Sequence, residues 1–299
     1  MRPAWTFRLP RGGGMDGVLR RRGSVLERAL WIGDEPVVVR VAQPAADRVI
    51  FGARAHNADA AEEGLRRMRR ATGVDVDLQG FYDRYRDDPL IGASVRSRPH
   101  LRPNGRPEAF EALAWAVCEQ LIEYVRAVEI ERRILYRFGR RCPSWDGTQT
   151  LVAPPCAAAV AGLAPAELQA LDLAGGRARA LIRAAREVAS GRVDLHVQSG
   201  QEDGWRRLRT ITGIGSWTTA VLGLHGQQRY DQLPAGDLAY FKLVGQMLRP
   251  EEGPHARADE DEVRSVFAPY EREGWAGLAG LHALGHKATG GGAGVRFAA

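Results

Sequence analysis

The sequence predicts an α+β protein, with a small antiparallel sheet and one helix on the N-terminal side and an all-α bundle after it. Three observations carry this expectation. Two β-rich runs, S-V-L-E-R-A-L-W-I (24–32) and E-P-V-V-V-R-V (35–41), flank a Gly33-Asp34 turn signal, and a shorter run follows at 48–51. An amphipathic segment at 59–71 then carries arginines at 66, 67, 69 and 70, which read as a solvated face. Beyond the Pro- and Arg-rich stretch at 99–107, apolar residues recur at helical intervals almost to the end.

Taken in order, residues 5–54 read as extended. In the helical half, Phe110, Leu113, Val117, Leu121, Val125 and Val128 fall three or four apart, as one continuous apolar helical face would. Further helices are expected at 162–171, 177–190, 201–210, 216–226, 238–248, 259–267 and 275–284, giving a bundle of roughly eight. The Gly-rich end, 285–299, is expected to be disordered. The expected division is an α+β domain at 1–105, a helical domain at 106–286 and a tail at 287–299.

The chain has 299 residues, 44% of them apolar, enough for a packed core. Its 42 Lys and Arg against 36 Asp and Glu leave +6, which suits a polyanionic partner without demanding one. Only Lys242 and Lys287 are lysines, so the arginine excess equally reflects compositional bias. Cys118, Cys142 and Cys156 show no C-x-x-C spacing, and none follows Cys156. A compact C-terminal zinc or iron-sulfur site is therefore excluded, and the thiols read as reduced and inert. The seven histidines show no H-x-E pairing, which argues against metal hydrolysis. No apolar run nears the ~20 residues of a membrane helix, and the start lacks a signal-like apolar stretch, so a cytoplasmic protein without membrane contact is expected.

The informative segment is L-R-T-I-T-G-I-G-S-W-T-T-A-V-L (208–222), where one helix breaks at Gly213-Ile214-Gly215 and another starts at Ser216. The glycines permit a tight hairpin, with Gly215 expected to need backbone angles that a β-branched residue resists, and Ile214 can plug the hairpin into the core. The second helix would present free amide N–H groups to a phosphate; the bland reading is a plain helix-turn-helix link. Further on, L-P-A-G-D-L-A-Y places Asp237 directly before an apolar helix, where it reads as an N-cap or as a functional carboxylate.

Together these segments resemble the helix-hairpin-helix DNA glycosylase superfamily, and within it the AlkA-type 3-methyladenine DNA glycosylase II family. Residues 208–219 match its L-x-x-I/L-x-G-I-G-x-W-T-A hairpin, and 233–238 its aspartate after an L-P stretch. More weakly, F-E-A-L-A-W-A-V-C-E-Q-L-I (110–122) and L-A-G-G-R-A-R-A-L-I (173–182) are similar to other family segments, and the N-terminal sheet sits where the family has an α+β domain.

The resemblance implies a monofunctional base-excision repair enzyme that flips an alkylated base from double-stranded DNA and hydrolyses its N-glycosidic bond. Asp237 would stabilise the oxocarbenium-like sugar and orient water. Gly213, Ile214, Gly215, Ser216 and Thr218 would contact DNA. Trp217 stands where bifunctional relatives carry a lysine, so no Schiff base is expected. It reads either as a core aromatic or as a wall of the base pocket, where a ring face attracts cationic purines. Gln120 and Leu121 match the family's wedge region; Leu121 reads as the wedge filling the gap or as a core residue, because Glu119 replaces the family's helix-breaking glycine. No cofactor is required. By analogy the carbonyls of Arg209, Ile211 and Gly213 would hold a monovalent cation, Na or K, and the protein is expected to be a monomer. The rival readings are a hairpin module that only binds DNA, a glycosylase for another damaged base, and a helix-turn-helix regulator.

Overall fold

Residue 8 and residues 18–197 and 199–287 are described by the structure, a computed structural model. Strands β1 (Arg20–Arg22), β2 (Val25–Ile32), β3 (Glu35–Ala45) and β4 (Arg48–Arg54) form one antiparallel sheet in chain order. The two-residue turn at Gly33-Asp34 pairs Ile32 with Glu35, and Gly33 takes φ +61°, an angle that favours glycine. Period-two alternation gives the sheet two faces. Leu26, Leu30, Val37, Val39 and Val41 pack with Ala60 and Met68 of α1 (Ala58–Thr72), while Ala29 and Val38 point to the other side.

Asn57 caps α1 by accepting the Asp59 N–H at 2.8 Å, and Gly73, at φ +64°, ends it. The expected arginine face of α1 is only partly solvated. Arg66 and Arg69 are exposed, but Arg67 is half-buried, because it reaches from Glu63 at 2.6 Å to Glu108 across the domain.

Two short helices that the periodicity did not reveal follow, α2 (Gln79–Tyr85) and α3 (Gly92–Ser97). Then come α4 (Ala109–Glu119) and α5 (Tyr124–Phe138). The apolar face expected to run on from residue 110 to 128 is thus two helices, and Leu121 and Val125 are exposed. A hairpin of β5 (Arg140–Pro143) and β6 (Thr150–Ala153), also unforeseen, lays Cys142, Leu151 and Ala153 against the second face of the sheet. The helix expected at 162–171 is instead α6 (Ala157–Ala161) and α7 (Pro165–Gln169), since Pro165 starts a new helix where its missing N–H costs nothing.

The remaining elements are α8 (Gly175–Ala189), α9 (Gln201–Leu208), α10 (Ser216–Val221) running into a π-helical turn (Leu222–Gly226), α11 (Leu238–Leu248), α12 (Glu260–Arg272) and α13 (Ala276–Lys287). Helix α13 carries regular structure two residues past the expected start of the tail at 285; residues 288–299 lie outside the described residues. Two cores result. One gathers α4, α5, α8, α9 and the 208–222 segment around Leu113, Ile134, Leu181 and Leu208. The other joins Phe81, Tyr85, Ile91 and Val95, from before residue 105, to Tyr240, Phe267 and Leu278 of α11–α13. All three cysteines are free thiols, with Cys118 and Cys142 buried.

Candidate active site and DNA interface

One stripe of α4, made of Ala112, Trp115, Ala116 and Glu119 at spacings of three and four, faces one stripe of α10 and its π turn, made of Trp217, Val221 and His225. The two run antiparallel. At one end the Gln120 carboxamide donates to Thr218 Oγ1 at 2.8 Å; at the other, a side chain added to Gly226 would come within 3.0 Å of the Ala112 Cβ. Between them lies a cavity of about 210 Å³. Asn104 and Arg106 join His225 at the Ala112 end, and Asp237, Pro234, Ile122 and Tyr124 complete the lining.

Asp237 is an N-cap, as its position suggested, and its side chain also lines the cavity. It is the N-cap of α11, with Oδ1 accepting the Ala239 N–H at 2.8 Å, while Oδ2 accepts the Trp217 indole N–H at 3.2 Å. Burial pushes its carboxyl up from the ordinary aspartate range, and the Ala239 N–H, the Trp217 N–H and the charge of Lys242 offset part of that. A cap alone would need no second donor. Trp217 is therefore a half-buried cavity wall rather than a core aromatic.

Beside this mouth, α4 stops at Glu119 without a glycine. Arg177 of α8 donates to the Cys118 carbonyl at 2.6 Å and to the Gln120 carbonyl at 3.2 Å, taking up acceptors that a continuing helix would use. Gln120 turns out to bridge Thr218 and the Gly213 carbonyl, the latter also at 2.8 Å. The chain then places Leu121 at φ +54° with 104% relative exposure. The core reading of Leu121, and with it the expectation that Glu119 extends the helix, is overturned. A fully exposed leucine on a strained backbone is the kind of feature that marks a binding surface.

In the hairpin the positive angle belongs to Gly213, at φ +94°, where an added Cβ would meet Ala180 at 3.3 Å. Gly215 has φ −111°, an extended conformation open to any residue, so the expectation of a special angle at Gly215 is corrected. Ile214 is buried in the larger core, as its plug role requires. The Thr218 hydroxyl is buried against Gln120, and Ser216 Oγ donates to Glu260 at 3.1 Å, so neither side-chain hydroxyl caps the first turn of α10.

Several lining residues carried no motif signal: Asn104, Arg106, Trp115, Tyr124 and His225. The 112-115-116-119 and 217-221-225 spacings were readable, but periodicity cannot say whether such a stripe meets a core or a void. Trp115 is held in place by a buried charge cluster, its indole N–H reaching Glu111 at 3.3 Å, while Glu111 pairs with Arg28 of β2 and with Arg106 at 3.2 Å. Among the described residues, no three His, Cys, Asp or Glu side chains are grouped to hold a metal ion, and no helix is long and apolar enough to cross a membrane.

No family model matches the chain. A DNA-3-methyladenine glycosylase of Bacillus subtilis is 26% identical over 212 residues, 70% of this chain and 68% of the relative. DNA-3-methyladenine glycosylase 2 of Escherichia coli is 30% identical over 141 residues, 47% of this chain and 49% of the relative. In fold, the 3-methyladenine DNA-glycosylase from Archaeoglobus fulgidus superposes with a TM-score of 0.72 at 19% identity, over 93% of this chain and 96% of that one. The chain is thus similar in sequence to two DNA-3-methyladenine glycosylases and shares the fold of a third.

Proposed function

We propose that this protein is a monofunctional DNA glycosylase that flips alkylated bases of the 3-methyladenine kind out of double-stranded DNA and hydrolyses their N-glycosidic bond. The observation that carries the reading is the Asp237 carboxylate, held by Trp217 and Ala239 at the mouth of an aromatic cavity with Leu121 fully exposed nearby. The hairpin amides following Gly215 receive a phosphate, and Leu121 enters the stack to offset part of the few kcal/mol that unstacking costs. Trp115, Tyr124 and Trp217 surround the base, and their ring faces favour a cationic one. As the bond to the sugar breaks, positive charge grows beside Asp237, whose carboxylate stabilises it and orients the attacking water.

Trp217 leaves no amine at the hairpin position, which supports hydrolysis over a lyase step. A Na or K ion held by the carbonyls of Arg209, Ile211 and Gly213 would tie hairpin to phosphate. The Ile211 oxygen already accepts the Ile214 N–H at 2.9 Å and the Gly213 oxygen accepts Gln120, so the ion would use their second lone pairs, a neutral-oxygen set that fits such a cation. The protein is proposed to act as a cytoplasmic monomer. The test is release of bases from a methylated duplex: free methylated purine together with an intact abasic strand is expected, and binding without release would reduce the protein to a DNA-binding module.

A further inference from the structure

At the end of the cavity away from Asp237 and Gln120, a two-way staple fixes the imidazole of His225. The Arg106 N–H donates to the His225 carbonyl at 2.6 Å, and the His225 ring meets the Asn104 carbonyl through Nδ1 at 3.0 Å. A carbonyl only accepts, so Nδ1 carries the proton and Nε2 holds a lone pair. Burial pushes the ring down to about 4, the Asn104 carbonyl opposes that and the Arg106 charge adds to it, which keeps the imidazole neutral at physiological pH. Among the described residues no hydrogen bond engages Nε2. The other charged group at this end, Arg106, is drawn to Glu111, which Arg28 also neutralises.

We propose that His225 reads the far edge of the flipped base, with Nε2 accepting an N–H from the 6-amino group of an adenine-derived lesion. This deepens the proposed function, since it rests on the cavity being the base pocket. A purine whose glycosidic nitrogen lies beside Asp237 points its six-membered ring inward, so that the edge bearing N1 and its 2- and 6-neighbours faces the end formed by Asn104, Arg106 and His225, where we place the 6-amino group against Nε2. A fixed acceptor there welcomes an amine and is repelled by the lone pairs of a 6-oxo group. Adenine-type lesions are the substrate class this geometry selects.

The test is competition by free bases in the release assay, using adenine and unsubstituted purine, which has the same rings without the amine. Wild-type protein should be inhibited by adenine at a roughly tenfold lower concentration than by purine, the size of effect one hydrogen bond to an otherwise unpaired group gives. His225→Phe, which keeps a flat ring, should bring that ratio to about one. His225→Gln, able to restore an acceptor, should keep it above one. Because the ratio is internal to each protein, a loss of folded material does not mimic the result. A wild-type ratio of one, or a ratio unchanged in His225→Phe, overturns the assignment to His225 while leaving base release intact; absence of base release from wild-type protein would instead overturn the proposed function.

Discussion

The carboxamide of Gln120 and the backbone of Gly213 are joined by a 2.8 Å hydrogen bond, which ties the turn carrying Leu121 to the hairpin that would grip DNA. Through this bond and the matching one to Thr218, the exposed leucine, the hairpin amides and the cavity mouth form one surface. Gln120→Ala removes both, so excision from duplex DNA should fall by about tenfold, the equivalent of ~1–1.5 kcal/mol, with the thermal midpoint little changed. Unaltered kcat/KM on a methylated duplex would show that the tie is incidental.

Leu121→Ala should cut the excision rate from duplex DNA by about tenfold or more and leave stability unchanged, because the side chain touches solvent and not core. Leu121→Gly relieves the φ +54° strain and should raise the thermal midpoint while still losing excision. A wild-type rate in either variant removes the wedge role.

Asp237→Asn should abolish excision while DNA affinity stays within a few-fold, since the carboxylate acts on charge that exists only in the transition state. Asparagine caps a helix about as well as aspartate. The sign of the pKa shift adds a second readout. A carboxyl raised above its unfolded value binds its proton more tightly when folded, so the ionised form at neutral pH costs stability, and the variant should melt no lower than wild type at pH 7. For the same reason the acid limb of the wild-type rate should lie above the ordinary value of 3.8, with activity lost as pH falls through it. Substantial excision by Asp237→Asn would remove the residue from the mechanism.

Gly213→Ala and Gly215→Ala should behave differently. The first forces a Cβ into φ +94° within 3.3 Å of Ala180 and should destabilise the fold by ~1–3 kcal/mol. The second meets no atom within 4 Å and an ordinary φ, so the protein should fold normally. Weakened binding to damaged and undamaged duplex alike in folded Gly215→Ala would then report a DNA backbone passing close to Gly215, whereas full affinity would make the hairpin a structural link.

Borohydride should trap no covalent adduct with DNA undergoing excision, because the hairpin position holds Trp217. The Lys242 amine is close enough to bear on the Asp237 charge. An adduct mapping to Lys242 would make the enzyme bifunctional.

The sequence by itself determined the α+β order, the sheet around Gly33-Asp34, helix α11 to the residue, and the pairing of a G-I-G hairpin with Asp237. These features are set by local chemistry: alternation, turn residues, a helix cap and apolar spacing. Only the tertiary structure decided what lies across from each stripe. Leu121 continues the apolar period of α4 and would be core if the helix ran on, yet it is exposed because Arg177, 56 positions further along, takes the carbonyls at the helix end. Trp217 could have been core until Asp237, from another segment, met its indole N–H. His225 gave no signal, since what makes it an acceptor is the Asn104 carbonyl brought to Nδ1 by a loop 121 residues earlier in the chain. Hydrogen bonds between segments so far apart follow from how the helices pack, and no local pattern in the chain encodes them.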